Sequence, residues 1–528
     1  MASPTDNLAS IDLITIGVYL VVVLGYGLWA GRTERNATDY FLAGRLLPWY
    51  LIGASFFASN MSGASFVGLM GASYSHGMVV FNYEWTAALV LIVFALVMMP
   101  VFFRNRLFTV PEYLERRFDR RSRWAYALFT IATLMLIDMA GALYAGSVVL
   151  DTFFPELELW QAGAGLALFA GVYTIVGGLR AVVVTDAIQA VLMILGAGII
   201  LYVGLGEVGG WDSLMTRLAA DKTTLMKPAD DAFLPWPGIL GVVLLGFYYW
   251  TLNQYFVQRA LAAKSLDQGR KGALFGGLLK LPNLFLMVVP GMIAILLFPN
   301  LDSPDKVFPT LALELLPAGL RGLVLTALLA AIMSSLDSAL NAAASLLTMD
   351  FVRPLRPHLS DRALLAIGRI FTGILMVIAA LYAPLIERFG SLFEYFQATL
   401  AYIVPPVVAV YLLGLFWRRA TPAAGFWSLV VGLAFGVVLF LTKEVGGLWQ
   451  HVGLPTIHFT YMALLIFAIT VVLIAGISLA GPAPAPDDSA RFRPSDLRPE
   501  TAQAWHRDYR VLAALLALAT VATIVLAW

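Results

Sequence analysis

The sequence predicts an all-α, polytopic membrane protein, and three features carry that prediction. Hydrophobic residues make up 60% of the 528-residue chain and charged residues only 13%. Mean hydropathy is +0.82, far from the profile of a soluble domain of this length. The apolar residues also gather into about fourteen stretches near the roughly 20 residues that span a bilayer. They centre near Val21, Phe57, Ile92, Leu134, Leu168, Met193, Val243, Phe285, Leu336, Leu375, Val404, Val431, Leu465 and Leu518, with short polar loops between them. Lipid satisfies no exposed backbone amide, so such a series has to form a bundle of transmembrane helices.

The arginines set the orientation. Basic clusters occupy alternate loops: Arg32, Arg35 and Arg45; Arg104 to Arg123; Arg180; Arg259, Lys264, Arg270 and Lys271; Arg353, Arg356 and Arg362; Arg418 and Arg419; Arg491 to Arg510. The positive-inside rule puts these loops in the cytoplasm, and an even number of helices then puts both termini outside. Met1 to Asp12 is acidic and lacks the basic region of a signal peptide, so the first helix is expected to be retained in a multi-pass protein of the cell (inner) membrane. Residues 1–45 form the extracellular N-terminus and a first peripheral helix, and 207–235 an extracellular loop. Residues 416–528 form peripheral C-terminal helices, with a Pro-rich, charged cytoplasmic loop at 481–508.

Several functions are disfavoured at once. A net charge of +1 offers nothing to nucleic acid, and the absence of cysteine removes disulfide frameworks and thiolate metal sites. No phosphate loop, nucleotide fingerprint, His/Glu metal pair or nucleophile elbow is present, which argues against an ATP-driven pump and against an enzyme.

What remains is a short set of polar groups at membrane depth. In AIMSSLDSALNAAASLLTMD, residues 331–350, a helix places Ala331, Ser334, Ser335 and Ser338 on one face and Ser334, Asp337 and Asn341 on an overlapping stripe. Desolvated oxygens are costly unless something uses them, and an ionisable residue in a membrane helix marks an ion or substrate path. A sodium site is the first reading of this segment. In GASFFASNMSGASFVGLMG, residues 53–71, Gly53, Gly63, Gly68, Asn60, Ser62 and Ser65 interrupt an apolar span. Such residues either allow close helix packing or unwind the helix and free carbonyls for ions. Further polar groups are Glu84, Asp138, Asp186 with Thr185 and Gln189, the cluster Tyr248 to Tyr255, Lys280, Glu394 and Gln397. Asp186 either pairs with nearby Arg180 or belongs to a site. Lys280 needs oxygen partners, from Glu84 or from substrate hydroxyls.

The blocks GASFFASNMSGASFVGLMG, YEW, GGLRAVVVTDAIQ, NQYFVQRALAAKS, LKLP, AAIMSSLDSALNAAAS and VYLLGLFWRR resemble the sodium/solute symporter family, and within it the sodium/glucose (galactose) cotransporter branch. The resemblance runs from about Asp39 to Arg419. It implies a LeuT-like core of two inverted five-helix repeats, here 46–206 and 236–415, and alternating access. It implies a sodium site from the carbonyls of Ala58 and Met61 together with Ala331, Ser334 and Ser335, with sodium as the coupling ion. Some relatives have a second sodium site at the positions of Asp186 and Asp337; the alternative is that Asp337 bonds only to Ser334 or Asn341. Glu84, Lys280 and Gln397 match sugar-contacting positions, and Tyr249 the aromatic that closes the inner side of the sugar. Ser65 stands where an amide is usual, Ala87 where a serine is found, and Gly246 where a polar residue is found. The expected function is sodium-coupled transport of a monosaccharide, with myo-inositol or another small neutral solute as the alternative and a membrane sensor or channel as a distant one.

Overall fold

The computed structural model describes residues 8–30, 36–63, 65–153, 158–388, 392–446, 448–455, 457–484, 489–498 and 504–528. Among these residues the regular elements are all helical, apart from two isolated β-bridges. Ten helices among the described residues are long and apolar enough to cross a membrane. A pair bent by 48°, Tyr395–Ile403 with Pro405–Phe416, makes eleven. The protein is thus an all-helical, polytopic membrane protein, with fewer uninterrupted spans than the fourteen or so apolar stretches suggest.

The shortfall has local causes. Trp49–Asn60 stops after 12 residues because the backbone leaves the helical region at Met61 (φ −73, ψ 62). Ile239–Thr251 stops at Leu252, and the chain re-enters a helix at Gln254–Leu261 with the Asn253 side chain capping its first turn. Two further stretches run together in Leu159–Val208, bent where Gly178 adopts φ 55, a conformation that L side chains avoid.

One helix is central. In Leu320–Leu355, 89% of the apolar window is buried, against 22% in Ser10–Ala30 and in Tyr509–Ala527 at the periphery. Its start is held from the far end of the sequence. The fully buried Asp12 carboxylate accepts hydrogen bonds from the amides of Gly319 and Gly322, both at 2.7 Å. A carboxylate there satisfies orphan amides and complements the positive end of the helix dipole.

A glycine seam brings the first broken helix against Leu266–Lys280. A Cβ on Gly53 would meet the Phe275 ring at 2.4 Å and the Gly272 carbonyl at 2.9 Å; one on Gly272 would meet Ile52 at 2.7 Å; one on Gly276 would meet Phe56 at 3.0 Å. Gly272, Gly276 and Lys280 are spaced four apart and share a face. The close approach of small residues therefore fixes the register that puts Lys280 beside Asn60, at the end of the first half-helix.

Candidate functional site

Where the first broken helix ends, a cavity of about 120 Å³ opens, many times the ~10–15 Å³ one water needs. Its lining brings together all five residues expected around a substrate: Ser65, Glu84, Tyr249, Lys280 and Gln397. Gly246 lines it as well, so the missing side chain there leaves open space. The side chain of Glu394 lies outside the described residues.

Lys280 and Glu84 form an ion pair, almost wholly buried. The ammonium also donates to Asn60 Oδ1 and lies 5.7 Å from the centroid of the Trp250 ring. Asn283, which no sequence signal singled out, donates from Nδ2 to Glu84 and is fully buried. An isolated buried charge would be prohibitive, but a pair with polar neighbours on both partners is tolerable. Ser65 donates to the Asn60 carbonyl at 2.8 Å. The Tyr249 hydroxyl accepts a hydrogen bond from Tyr255 at 2.6 Å, and Tyr255 approaches Asp138 at 3.4 Å. The cavity therefore has one compensated ion pair, amide and hydroxyl groups, and aromatic faces from Tyr249, Trp250 and Tyr83.

Below it, the break in the first helix meets the central helix. The Ser62 amide, which an unbroken helix would aim at the Ala58 carbonyl, bonds the Asn60 carbonyl at 2.8 Å instead. Ser335 Oγ donates to the carbonyls of Ala331 at 3.1 Å and Ser59 at 3.3 Å, next to Ala58. Ala58, Met61, Ala331 and Ser334 are fully buried and Ser335 nearly so. Ser334 turns away, its hydroxyl bonding the Asp186 carboxylate.

Asp186 belongs to a second cluster. Its partner is not Arg180 but Arg259, at 3.0 Å, and both are completely buried. Arg259 also reaches the hydroxyls of Ser55, Ser59 and Ser338 and the Tyr255 carbonyl. The assignment of Arg259 to a cytoplasmic loop is overturned: its guanidinium lies inside the bundle. Gln254–Leu261 is the second half of a broken helix, too short and too polar to register as a span. Asp337 is fully buried on the central helix.

The sodium:solute symporter family profile matches residues 40–432. A sodium/glucose cotransporter of Vibrio parahaemolyticus is 34% identical over 83% of this chain and 87% of its own length. Sodium/glucose cotransporter 4 of Danio rerio is 33% identical over 91% of this chain and 80% of its own. Sodium/myo-inositol cotransporter 2 of Rattus norvegicus is 36% identical over 84% and 72%. Among solved structures, a Na+-coupled sialic acid symporter in a substrate-bound outward-open state superposes with a TM-score of 0.78 at 22% identity, covering 90% of this chain and 99% of its own. The nucleobase-cation-symport-1 family transporter Mhp1 superposes at 0.56 and 13%, covering 86% and 98%. These two share the LeuT-like fold. The chain belongs to the sodium:solute symporter family: it is a sodium-coupled carrier of a small solute and not an enzyme.

Proposed function

We propose that this symporter carries a monosaccharide of the glucose/galactose type. The observation that carries the reading is the cavity itself, in which the Glu84–Lys280 pair, the Gln397 amide and the Tyr249 ring face one space with no charge left uncompensated. A neutral polyhydroxylated ligand fits that chemistry: carboxylate, ammonium and amide each bond hydroxyls, and the apolar face of a sugar ring stacks on an aromatic. An organic acid would need a cation of its own, and Lys280 is already matched by Glu84 while Arg259 is enclosed with Asp186.

Sodium, on this reading, binds Ala58, Met61, Ala331, Ser334 and Ser335, where the first helix break frees carbonyls against the central helix, and Ser334 has to leave the Asp186 carboxylate to join them. A second sodium at Asp186 and Asp337 requires Arg259 to leave Asp186, because the guanidinium holds that charge in this arrangement. The core comprises inverted repeats 46–206 and 236–415, each interrupted at a matching distance from its start, by Met61 in one and Leu252 in the other. Sodium and sugar tighten each other's binding reciprocally as the two halves alternate.

Uptake into proteoliposomes under an imposed sodium gradient tests the proposal. Labelled galactose or glucose should accumulate above its external concentration, and only with sodium. Stronger competition by myo-inositol, the solute named for some relatives at similar identity, would favour that polyol. No concentrative uptake of any neutral solute would overturn the sugar reading.

A further inference from the structure

A second, larger groove lies on the outside of the bundle. Its volume is about 1190 Å³, and it runs between Leu266–Lys280, the start of Trp49–Asn60, and Tyr509–Ala527 with the residues just before it. Its walls are apolar: Leu274, Phe275 and Leu278 on one side, Leu512, Leu515 and Ala519 on the other. Its mouth is polar and basic, with Lys271, His506 and Arg507. We propose that this groove is a binding site for an anionic glycerophospholipid, with the phosphate at Arg507 and Lys271 and an acyl chain along the apolar walls.

Three observations point to that occupant. The first is charge. Lys271, Arg507 and Arg510 face two carboxylates, Asp267 and Asp508. Asp267 accepts from Lys271 at 2.6 Å and Asp508 from Arg510 at 2.6 Å. Arg507 is exposed and, among the described residues, makes no ion pair, so the mouth keeps a cation to offer. A guanidinium suits a phosphate because it donates two parallel hydrogen bonds.

The second is length. From Gln268 to Leu278 the wall rises about 15 Å at 1.5 Å per residue, half of the ~30 Å hydrocarbon core and so the depth of one leaflet. Leu278 is 47% and Leu515 51% exposed in the bundle, so these walls face acyl chains. A soluble anion would use the mouth and leave the walls bare.

The third is depth. Trp49 lines the groove and Trp505 adjoins its mouth, and they are 38% and 72% exposed. Exposed tryptophans on a membrane protein sit at headgroup level, the height at which a phosphate would meet Arg507. The base is fixed: Arg270, fully buried, donates to the Asp496 carbonyl and lies 4.1 Å from the Tyr509 ring centroid. Arg104 pairs with Asp496 at 2.6 Å. The segment before the last helix is thereby held where the groove needs it.

The test uses the full chain, purified and delipidated, then exposed to phosphatidylglycerol or phosphatidylcholine of identical acyl chains. Phosphatidylglycerol should be retained in native mass spectra and raise the melting temperature more than phosphatidylcholine does. Lys271→Gln with Arg507→Gln should cut its retention about thirty-fold, since each basic residue near an anionic headgroup contributes ~1 kcal/mol. Leu515→Trp, which fills the groove and leaves the charges, should lower retention of both lipids. Equal retention of the two lipids by the unaltered protein would overturn the proposal, and so would stabilisation by glycerol phosphate equal to that by phosphatidylglycerol, which would mark a bare anion site. Loss of retention in Leu515→Trp supports it even if the double variant fails to fold.

Discussion

Two buried ion pairs, Lys280–Glu84 and Arg259–Asp186, are alike in charge and unlike in surroundings. Arg259 and Asp186 are completely enclosed, and the donors and acceptors around them are spoken for by Ser55, Ser59, Ser334, Ser338 and the Tyr255 carbonyl. Lys280 and Glu84 have Asn60 and Asn283 as partners but border open space. A closed network fixes one packing of the helices that meet there, whereas a pair at the edge of a cavity can exchange partners with a ligand. The first joins both broken helices to the central helix and the helix carrying Asp186; the second faces the cavity.

The largest effect should come from breaking the enclosed pair. Arg259→Leu leaves the Asp186 carboxylate buried without its cation, a loss of about 3–5 kcal/mol for a pair of this kind. Unfolding in detergent should show it as a large fall in melting temperature. Arg259→Leu with Asp186→Leu should recover much of the loss, since removing both charges also removes both desolvation penalties. A single variant as stable as the unaltered protein would refute the scaffold role.

Lys280→Ala should act differently. Water can reach Glu84 through the cavity, so the protein should fold. A hydrogen bond to a charged partner contributes about 1.5–3 kcal/mol, so the solute concentration for half-maximal uptake should rise about ten- to a hundred-fold. Equal collapse of stability in Lys280→Ala and Arg259→Leu would erase the distinction between the pairs. Gln397→Ala removes a neutral partner and should raise that concentration about ten-fold or less, with the sodium dependence of uptake unchanged.

How readily each region could be read from the chain follows the same contrast. Polar residues inside long apolar runs, such as Asn60 and Ser65 or Ser334 and Ser335, stand out against their neighbours, and the first helix break is legible that way as one of two readings of residues 53–71. Arg259 was not. It sits in the eight-residue half-helix QYFVQRAL, followed by Lys264, Arg270 and Lys271, and a basic cluster after a short apolar run has the signature of a cytoplasmic loop. Only its side-chain partners reveal it, and these lie 73 to 204 residues away. Asp12 escaped for the same reason, since the helix start that it caps is more than 300 residues distant. Asn283 carries no pattern at all.

The finest test lies within the central helix, where two serines three residues apart fall in different regions. Ser335 bonds the Ala331 and Ser59 carbonyls at the first helix break, and Ser338 accepts from Arg259 and donates to the Ser334 carbonyl. If sodium takes the oxygens at the break, Ser335→Ala removes one neutral oxygen from its shell. At about 0.5–1.5 kcal/mol, the sodium concentration for half-maximal uptake should rise several-fold, with melting temperature nearly unchanged in sodium-free buffer. Ser338→Ala should do the reverse, lowering the melting temperature by loosening Arg259 while the sodium dependence stays put. Sodium titrations of uptake and melting curves on the two variants decide the matter. Identical sodium curves for Ser335→Ala and the unaltered protein would move the ion site elsewhere, and a sodium shift in Ser338→Ala would mean that the enclosed cluster is itself part of the coupling.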